Sequence, residues 1–260
     1  KEAGALYPLD GSNPSGSAMK LVSINVELNK NYSTVFEFLK KENPDVVCVQ
    51  ELLEEDFDRF KNELNMEGIF QPRRYFKPHP RYGNIEGKLE GVAIFTKNIL
   101  ASGAVYYEGK EEYLKEYIPG GKNSDTSVFV WVDAKDDSGK TYKFITTHLP
   151  VTKDGESTPY QLEVVDMLLD KLKNIPEFIL CGDSNSPRGK ESFARIADKY
   201  KDNIPLHYQT SLDQKLHRVQ GLQHMVDCLF TTTGYTASRV KLVDGVSDHM
   251  AVVADINKIS

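Results

Sequence analysis

The sequence predicts an α/β fold in which two mainly antiparallel β-sheets pack face to face and helices cover the outside. Short runs rich in β-branched and aromatic residues outnumber the helical segments. Turn signals join some of these runs directly, and helical segments separate others. The chain has 260 residues, 40% of them hydrophobic, which is enough for one large core.

The first half of the chain alternates predicted strands and helices. Residues 20–26 (KLVSINV) alternate in polarity as a strand does, and Ser33 is the expected N-cap of a helix that reaches Lys41. Pro44 ends that helix before the buried run DVVCVQ. The predicted elements are strands at 20–26, 45–50 and 91–96, with helices at 33–41 and 54–64.

The second half begins with a predicted hairpin whose turn is Asp136-Asp137-Ser138-Gly139. Apolar residues with helical spacing follow from Leu162 to Leu172, and the buried run EFILC comes after them. The predicted elements are strands at 126–134, 141–147, 177–181, 225–231, 237–242 and 250–255, with helices at 158–172 and 192–200.

The two ends of the chain differ in composition. Residues 1–18 are rich in Gly, Ser and Pro, so we expect an engineered leader there and a single domain over residues 19–260. No run is long and apolar enough for a membrane span, so we expect no membrane insertion. Three cysteines in apolar runs, without ligand or disulfide spacing, favour free thiols in the reducing cytoplasm, and we expect a monomer.

Polar side chains stand at the ends of the predicted buried strands, where a sandwich brings groups from different strands to one edge. Several carboxylates on one rim repel one another, and a hard divalent cation compensates that repulsion. Oxygen ligands without cysteine suit Mg²⁺ or Mn²⁺. The sequence therefore predicts a metal-dependent site formed by Asn25, Glu51, His148, Asp183, Asn185, Asp227, Asp248 and His249.

Seven short segments occur in order at these strand ends: SINV, VQE, GVAIFTK, THL, GDSN, VDCLF and SDH. Together they resemble the endonuclease/exonuclease/phosphatase superfamily, which has the deoxyribonuclease I-like fold, a four-layer sandwich. Each segment alone is weak evidence for the family, and the resemblance rests on their order over residues 20–256. The resemblance implies a hydrolase of phosphate esters that uses Mg²⁺ or Mn²⁺ and attack by an activated water.

The resemblance also implies roles for the metal side of the site. Glu51 matches the family's metal ligand, and Asn25 lies beside it. Asp248 would lie close to the metal and hold the geometry of the site.

The catalytic set that the resemblance implies comprises Asp248 and five further matching residues. Asp183 would orient or deprotonate the attacking water, and Asn185 would contact the scissile phosphate. Asp227 and His249 match the family's Asp–His dyad. His148 matches the second histidine, which would donate to a non-bridging oxygen.

Three departures from the family pattern concern the grip on substrate. Met225 stands where many of these nucleases have an arginine or another polar anchor. The strand TSVFVWV lacks the arginine often found before THL, and Ser184 replaces a larger residue inside GDSN.

A basic loop is the first candidate for substrate binding. Residues 71–88 interleave basic and aromatic side chains, which suits phosphate contact with base stacking, although a solvated loop has the same composition. The candidate substrate-binding residues are Arg73, Arg74 and Arg81, together with Arg188 after GDSN.

The leading hypothesis is a phosphodiesterase acting on nucleic acid, either a DNA nuclease or a DNA-end-processing enzyme. The net charge of −6 argues against a wide grip on duplex DNA and favours a strand end. The first alternative is a sphingomyelinase-like or inositol-phosphatase-like hydrolase, whose substrate would be a phosphorylated small molecule or a lipid headgroup. A non-catalytic phosphate-binding module is the alternative from another class.

Overall fold

The computed structural model describes residues 18–77, 85–118 and 125–259. Residues 1–17 of the expected leader and Arg81 lie outside this described part of the chain. The strands, in chain order, are β1 (Met19–Asn25), β2 (Val46–Leu53), β3 (Glu67–Tyr75), β4 (Leu89–Thr96), β5 (Ile99–Glu108), β6 (Lys115–Glu116), β7 (Ser127–Lys135), β8 (Thr141–His148), β9 (Ile179–Asp183), β10 (Lys201–Asp202), β11 (Asp227–Thr231), β12 (Tyr235–Val243) and β13 (Ala251–Lys258).

These strands form two sheets. The first has the order β12-β13-β1-β2-β4-β3-β6, and the second has the order β10-β11-β9-β8-β7-β5. Neighbouring strands are antiparallel except in the pairs β1–β2, β3–β6 and β8–β9. The predicted fold of two mainly antiparallel sheets is confirmed.

In the described part of the chain, four α-helices cover the outer faces of the sheets: α1 (Tyr32–Glu42), α2 (Phe57–Leu64), α3 (Pro159–Leu172) and α4 (Glu191–Ala197). Short 3-10 turns occur at Glu54–Asp56, Glu111–Tyr113 and Lys153–Gly155. Helices α1 and α2 pack on the first sheet, and α3 and α4 pack on the second. The layers therefore run helix, sheet, sheet, helix.

The inner strands β1, β2, β9 and β11 are buried on both faces, which explains why several of them are continuous apolar runs in the sequence. In β1, Leu21 faces the second sheet, whereas its neighbour Val22 faces the helices. Cys48 and Cys181 lie in the core between the two sheets, and Cys228 lies under α3 and α4. All three cysteines are free and buried.

Two local predictions were wrong. Asn31, not Ser33, is the N-cap of α1, and its side chain makes no capping hydrogen bond. Residues 71–75, predicted as part of a loop, belong to β3, which pairs with β4. The pattern of apolar residues does not predict this strand, because it contains Pro72 and the charged pair Arg73-Arg74. None of the helices in the described part of the chain has the length and apolar character that a membrane crossing requires.

Candidate active site

The polar strand ends predicted from the sequence meet at one cavity of about 370 Å³. Six of the predicted catalytic and metal-binding residues line it, and Asn25 and Asp227 stand directly behind them, hydrogen-bonded to lining residues. The six are Glu51, His148, Asp183, Asn185, Asp248 and His249.

The turn after β9 places Asp183 at the centre of the cavity wall. Gly182 precedes it with φ of 137°, and a Cβ there would lie 2.1 Å from the carbonyl oxygen of Thr147 on β8. Asn185 has φ of 44° and donates its backbone N–H to Oδ1 of Asp183 at 2.8 Å. Ser184 donates to the carbonyl oxygen of Val226 at 2.6 Å. The small residues of GDSN thus let the turn pack closely between two strands.

His249 forms a hydrogen-bonded pair with Asp227. Nδ1 of His249 lies 2.8 Å from Oδ2 of Asp227, and its Nε2 lies 3.8 Å from Oδ2 of Asp183. Burial opposes the charge of His249, but Asp227 and Asp183 outweigh it and hold the pKa of His249 well above its ordinary value. His249 is therefore an imidazolium at neutral pH.

His148 has the opposite environment. Its Nδ1 faces Nη2 of Arg73 at 3.1 Å, and its Nε2 lies 3.3 Å from Oδ2 of Asp183. Burial, together with the positive charge of Arg73, Arg74 and His249, holds the pKa of His148 well below its ordinary value. A guanidinium only donates, so Nδ1 accepts from Arg73, and the side-chain amide nitrogen of Asn185 lies 2.9 Å from Nε2.

Glu51 reaches the cavity through a local irregularity of β2. The register of β2 against β4 shifts between Val49 and Leu52, and Glu51 has φ of 56° within that bulge. Such a bulge re-aims one side chain, and here the carboxylate of Glu51 lines the cavity. The predicted strand end is therefore a bulge, since β2 continues to Leu53.

Negative charge accumulates around Glu51. Burial first, and then repulsion from Glu51 among other carboxylates, raises the pKa of Asp248 to about 7. Burial is also the main cause that raises the pKa of Asp183 to about 7, with Asp227 and Glu51 adding to it. Asn25 donates to Oδ2 of Asp183 at 3.2 Å. A cation bound among these oxygen atoms would relieve the repulsion.

One group of possible metal ligands is compact: ligand atoms of Asp183, Asp227 and His249 lie within 4.8 Å of one another. However, Asp227 already holds Nδ1 of His249, and a histidine kept protonated by its partner cannot coordinate a metal. Glu51, Asn25 and Asp248 offer oxygen ligands outside that pair. The donor set therefore fits a hard cation on the Glu51 side of the cavity.

Arg73 and Arg74 are buried in the cavity floor, not exposed on a basic loop. Arg73 lies 3.3 Å from Glu90 and 3.6 Å from Asp125. Arg74 pairs with Glu90 and, at 2.9 Å, with Asp125, and its Nη2 is 3.9 Å from Oε1 of Glu51. Burial alone would raise the pKa of Asp125, but the two arginines outweigh it and hold that pKa below its ordinary value. These internal ion pairs neutralise much of the positive charge that was predicted from the sequence to bind the substrate.

Arg188 is half-buried and does not line the cavity. Its guanidinium donates to Asp202 at 2.7 Å and to the carbonyl oxygen of Ile204 at 2.9 Å. The carbonyl oxygen of Tyr208 accepts a third bond at 3.4 Å. Arg188 thus anchors the segment that follows β10.

His217, Glu27 and Glu90 are among the groups at the site that were not predicted from the sequence. His217 and Glu27 line the cavity, and Glu90 supports its floor. The position of Glu27, two residues after Asn25, was a usable signal. His217 lies in an irregular segment whose path the sequence pattern does not predict.

A sequence model of the Endonuclease/Exonuclease/phosphatase family matches residues 22–249. The chain belongs to the Endonuclease/Exonuclease/phosphatase family. The predicted resemblance is confirmed, and the chain is a member of a family of phosphate-ester hydrolases that generally use divalent metal ions. No curated protein matches the chain by sequence.

Solved structures of this family share the fold at low sequence identity. A mannosyl-6-phosphatase from Bacteroides thetaiotaomicron is similar with a TM-score of 0.72 and 14% identity, over 92% of this chain and 100% of that one. The human Nocturnin catalytic domain, with a bound sulfate anion, has a TM-score of 0.70 and 17% identity over 94% of each chain. A humanized D. rerio TDP2 has a TM-score of 0.66 and 17% identity, over 94% of this chain and 100% of that one.

Proposed function

We propose that the chain is a Mg²⁺- or Mn²⁺-dependent phosphodiesterase in which water attacks the phosphorus in line. The observation that supports this most directly is that Oδ2 of Asp183 lies 3.3 Å from Nε2 of His148 and 3.8 Å from Nε2 of His249. A carboxylate so placed can orient and deprotonate a water molecule. The water needs no nucleophilic side chain beside it, so no covalent intermediate is part of the proposal.

The two histidines stabilise charge in different ways. The imidazolium of His249 offers Nε2–H to the negative charge that develops on phosphoryl oxygens during attack. The neutral ring of His148 packs between two side chains, with its Nε2 3.3 Å from Oδ2 of Asp183 and 2.9 Å from the amide nitrogen of Asn185, and so limits the positions of both. Asn185, whose side chain also donates to the carbonyl oxygen of Leu149 at 3.0 Å, adds an amide to the same wall.

Glu51, Asn25 and Asp248 are the residues that would hold the metal ion. When bound, the ion supplies a Lewis acid that polarises a phosphoryl oxygen and stabilises the leaving alkoxide. The chain's own contribution is a cluster of oxygen donors in which Asp248 has a pKa raised by burial and by Glu51.

The cavity favours a compact or terminal phosphate ester as substrate. A volume of about 370 Å³ falls at the small end of ligand pockets, which suits one nucleotide at a strand end or a small phosphorylated molecule. The buried pairing of Arg73 and Arg74 removes a basic track for long duplex DNA, in keeping with the net charge of −6. We therefore place nucleic-acid ends first among substrates.

A second candidate is a phosphorylated small molecule or a lipid headgroup. Val151 and Val219 line the cavity and are 54% and 48% exposed, so part of its mouth is apolar. One structural relative is named for a phosphorylated sugar. The buried free thiols fit the cytoplasm as the place of action.

The first experiment measures metal-dependent hydrolysis of a generic bis-aryl phosphodiester. We expect activity with Mg²⁺ or Mn²⁺, and a loss of at least about 100-fold in Glu51→Gln and His249→Ala. His207→Ala serves as a control, because His207 is exposed and outside the cavity. Metal-dependent binding without turnover would instead support a phosphate-binding module.

A substrate panel then ranks the classes. It contains a 5′-tyrosyl single strand, plasmid DNA, an abasic duplex, RNA, a sugar phosphate, inositol phosphates and sphingomyelin vesicles. Preference for the tyrosyl strand supports end processing. Rapid nicking of plasmid DNA would contradict the preference for terminal phosphates.

A further inference from the structure

A third histidine, His217, borders the cavity beside the dyad. It lies in the irregular segment between β10 and β11, and only 8% of its surface is exposed. Its ring centroid is 6.4 Å from that of His249, and the two ring planes meet at 74°. This separation allows both imidazoles to reach oxygens of one bound phosphate, since each hydrogen bond spans about 2.8 Å.

The hydrogen bonds of the His217 ring leave one nitrogen available. Nδ1 lies 3.2 Å from both the backbone N–H and the carbonyl oxygen of Val219, so this contact accommodates a proton on either ring nitrogen. Within the described part of the chain, Nε2 has no hydrogen-bond partner. Burial, with like charge from His249 and Arg218, lowers the pKa of His217. When an acceptor stands at Nε2, the N–H of Val219 can donate to Nδ1 and the neutral ring can donate from Nε2.

Asp213 fixes the position of this ring relative to the dyad. Its N–H donates to the carbonyl oxygen of Asp248 at 2.9 Å, and its Oδ2 accepts from the N–H of Gly245 at 2.6 Å. The N–H of His217 in turn donates to the carbonyl oxygen of Asp213 at 3.0 Å. The backbone hydrogen bonds of Asp213 thus link His217 to Asp248, the neighbour of His249 in the sequence.

The surroundings of His217 favour an anion. The positive charges of His249 and Arg218 act on its ring, against the single negative charge of Glu27, and Nε2 is free to carry the proton of the neutral ring. A metal ion is better bound on the Glu51 side of the cavity, where carboxylates are concentrated. A phosphoryl oxygen accepts an N–H and is attracted by positive charge, so it suits the His217 side.

We propose that His217 donates its Nε2–H to an oxygen of the substrate's phosphate group. The inference rests on the proposed function, because it takes the bound molecule to be a phosphate ester. His217 is thus a third histidine of the site. It contacts the substrate from a positively charged wall of the cavity, whereas the metal ligands form a negatively charged one.

The test uses inorganic phosphate as the probe, so that binding is measured apart from turnover. Calorimetric titration in the presence of Mg²⁺ compares the wild type with His217→Phe, His217→Gln and the control His207→Phe. Phenylalanine keeps the ring shape and removes the donor, whereas the amide of glutamine can place N–H near the position of Nε2. Thermal unfolding of each variant checks that the fold is kept.

We expect His217→Phe to weaken phosphate binding about 10- to 100-fold, the usual effect of losing a hydrogen bond to a charged group. His217→Gln should keep most of the affinity, and His207→Phe should match the wild type. Equal affinity of His217→Phe and the wild type would overturn the proposal. Equal losses in the Phe and Gln variants, with unchanged unfolding temperatures, would overturn the donor role, as would a wild type that binds no phosphate. Phosphate binding that depends on His217, in a protein that cleaves no phosphate ester, would overturn the proposed function and leave the role of His217 standing.

Discussion

Nη2 of Arg73 lies 3.1 Å from Nδ1 of His148. The other histidine of the predicted set, His249, has a carboxylate in the equivalent contact, because Oδ2 of Asp227 lies 2.8 Å from its Nδ1. An arginine favours the neutral ring, and a carboxylate favours the charged ring. The site therefore holds two histidines whose protonation is fixed in opposite senses.

We predict that nitrogen NMR of the wild type at pH 7 shows His148 neutral and His249 as an imidazolium. Burial and the charge of Arg73 lower the pKa of His148 well below its ordinary value, and Asp227 raises that of His249. The His148→Gln and His249→Gln variants assign the two signals. An imidazolium signal from His148 at this pH would contradict the assignment.

Replacement of Asp227 by Asn should remove the charge that keeps His249 protonated. We expect kcat/KM at pH 7 to fall about 10²- to 10³-fold, the usual cost of losing one donor to the developing negative charge. Because the pKa of His249 drops, the loss should be smaller at low pH than at high pH. Activity profiles between pH 5 and 9 measure this, and a loss that is uniform across pH would argue for a structural effect only.

Metal binding should release protons and should tighten as the pH rises. In the metal-free protein, the ligand Asp248 has a pKa of about 7, raised chiefly by burial, and a carboxylate must lose its proton to coordinate a cation. Mg²⁺ titrations in buffers of different ionisation enthalpy count the released protons. Proton release that is absent at pH 6.5 would contradict the raised pKa of Asp248.

The same shift predicts how stability depends on pH. A carboxyl whose folded pKa exceeds its unfolded value holds a proton more tightly when folded, so the folded state loses stability as the pH rises towards about 7. Asp248→Asn should therefore raise the unfolding temperature of the metal-free protein at pH 8, by about 2–4 °C for each kcal/mol gained, while activity falls. The increase should be smaller at pH 5, and Asp198→Asn, which changes a residue outside the cavity, is the comparison.

Substitution of Gly182 by Ala should disrupt the fold at the centre of the site. The added Cβ would lie 2.1 Å from the carbonyl oxygen of Thr147, and φ of 137° is unfavourable for alanine. We expect a loss of more than about 4 kcal/mol in the free energy of unfolding. Gly139→Ala is the matched control, since its φ is 90° but its nearest neighbour, Cε of Lys135, lies at 3.5 Å. Similar losses in both variants would show that backbone strain, not the close approach of β8 and β9, decides the outcome.

Arg188→Met should reduce stability and leave KM unchanged. The guanidinium is used by Asp202 and by backbone carbonyl oxygens, so its loss leaves these acceptors unpaired at a cost of about 1–3 kcal/mol. Chemical denaturation and steady-state kinetics measure the two effects. A rise in KM at unchanged stability would instead restore the phosphate contact predicted from the sequence.

The order of motifs was sufficient to predict the two-sheet fold, because apolar strands that end in polar residues are a local property of the sequence. The convergence of Glu51, Asp183 and His249 on one cavity follows from that fold. The bulge that aims Glu51 does not, since it depends on the register between β2 and β4.

The basic segment shows why the substrate was harder to predict. Arg73 and Arg74 have the composition of a phosphate-binding loop, but Glu90 and Asp125, distant in the sequence, pair with them in the fold. His217 was overlooked for the converse reason, because its place beside His249 depends on hydrogen bonds of Asp213 and not on any motif.

The buried cysteines make the layers of this molecule separately observable. Cys48 and Cys181 are enclosed between the sheets, whereas Cys228 is enclosed between the second sheet and its helices. All three thiols are buried, so a thiol reagent gains access only when a layer separates, and burial also raises the pKa of Cys48 and of Cys228 well above ordinary thiol values, which lowers their reactivity. Labelling rates at these three positions would therefore time the opening of two different interfaces under native conditions, without any introduced probe.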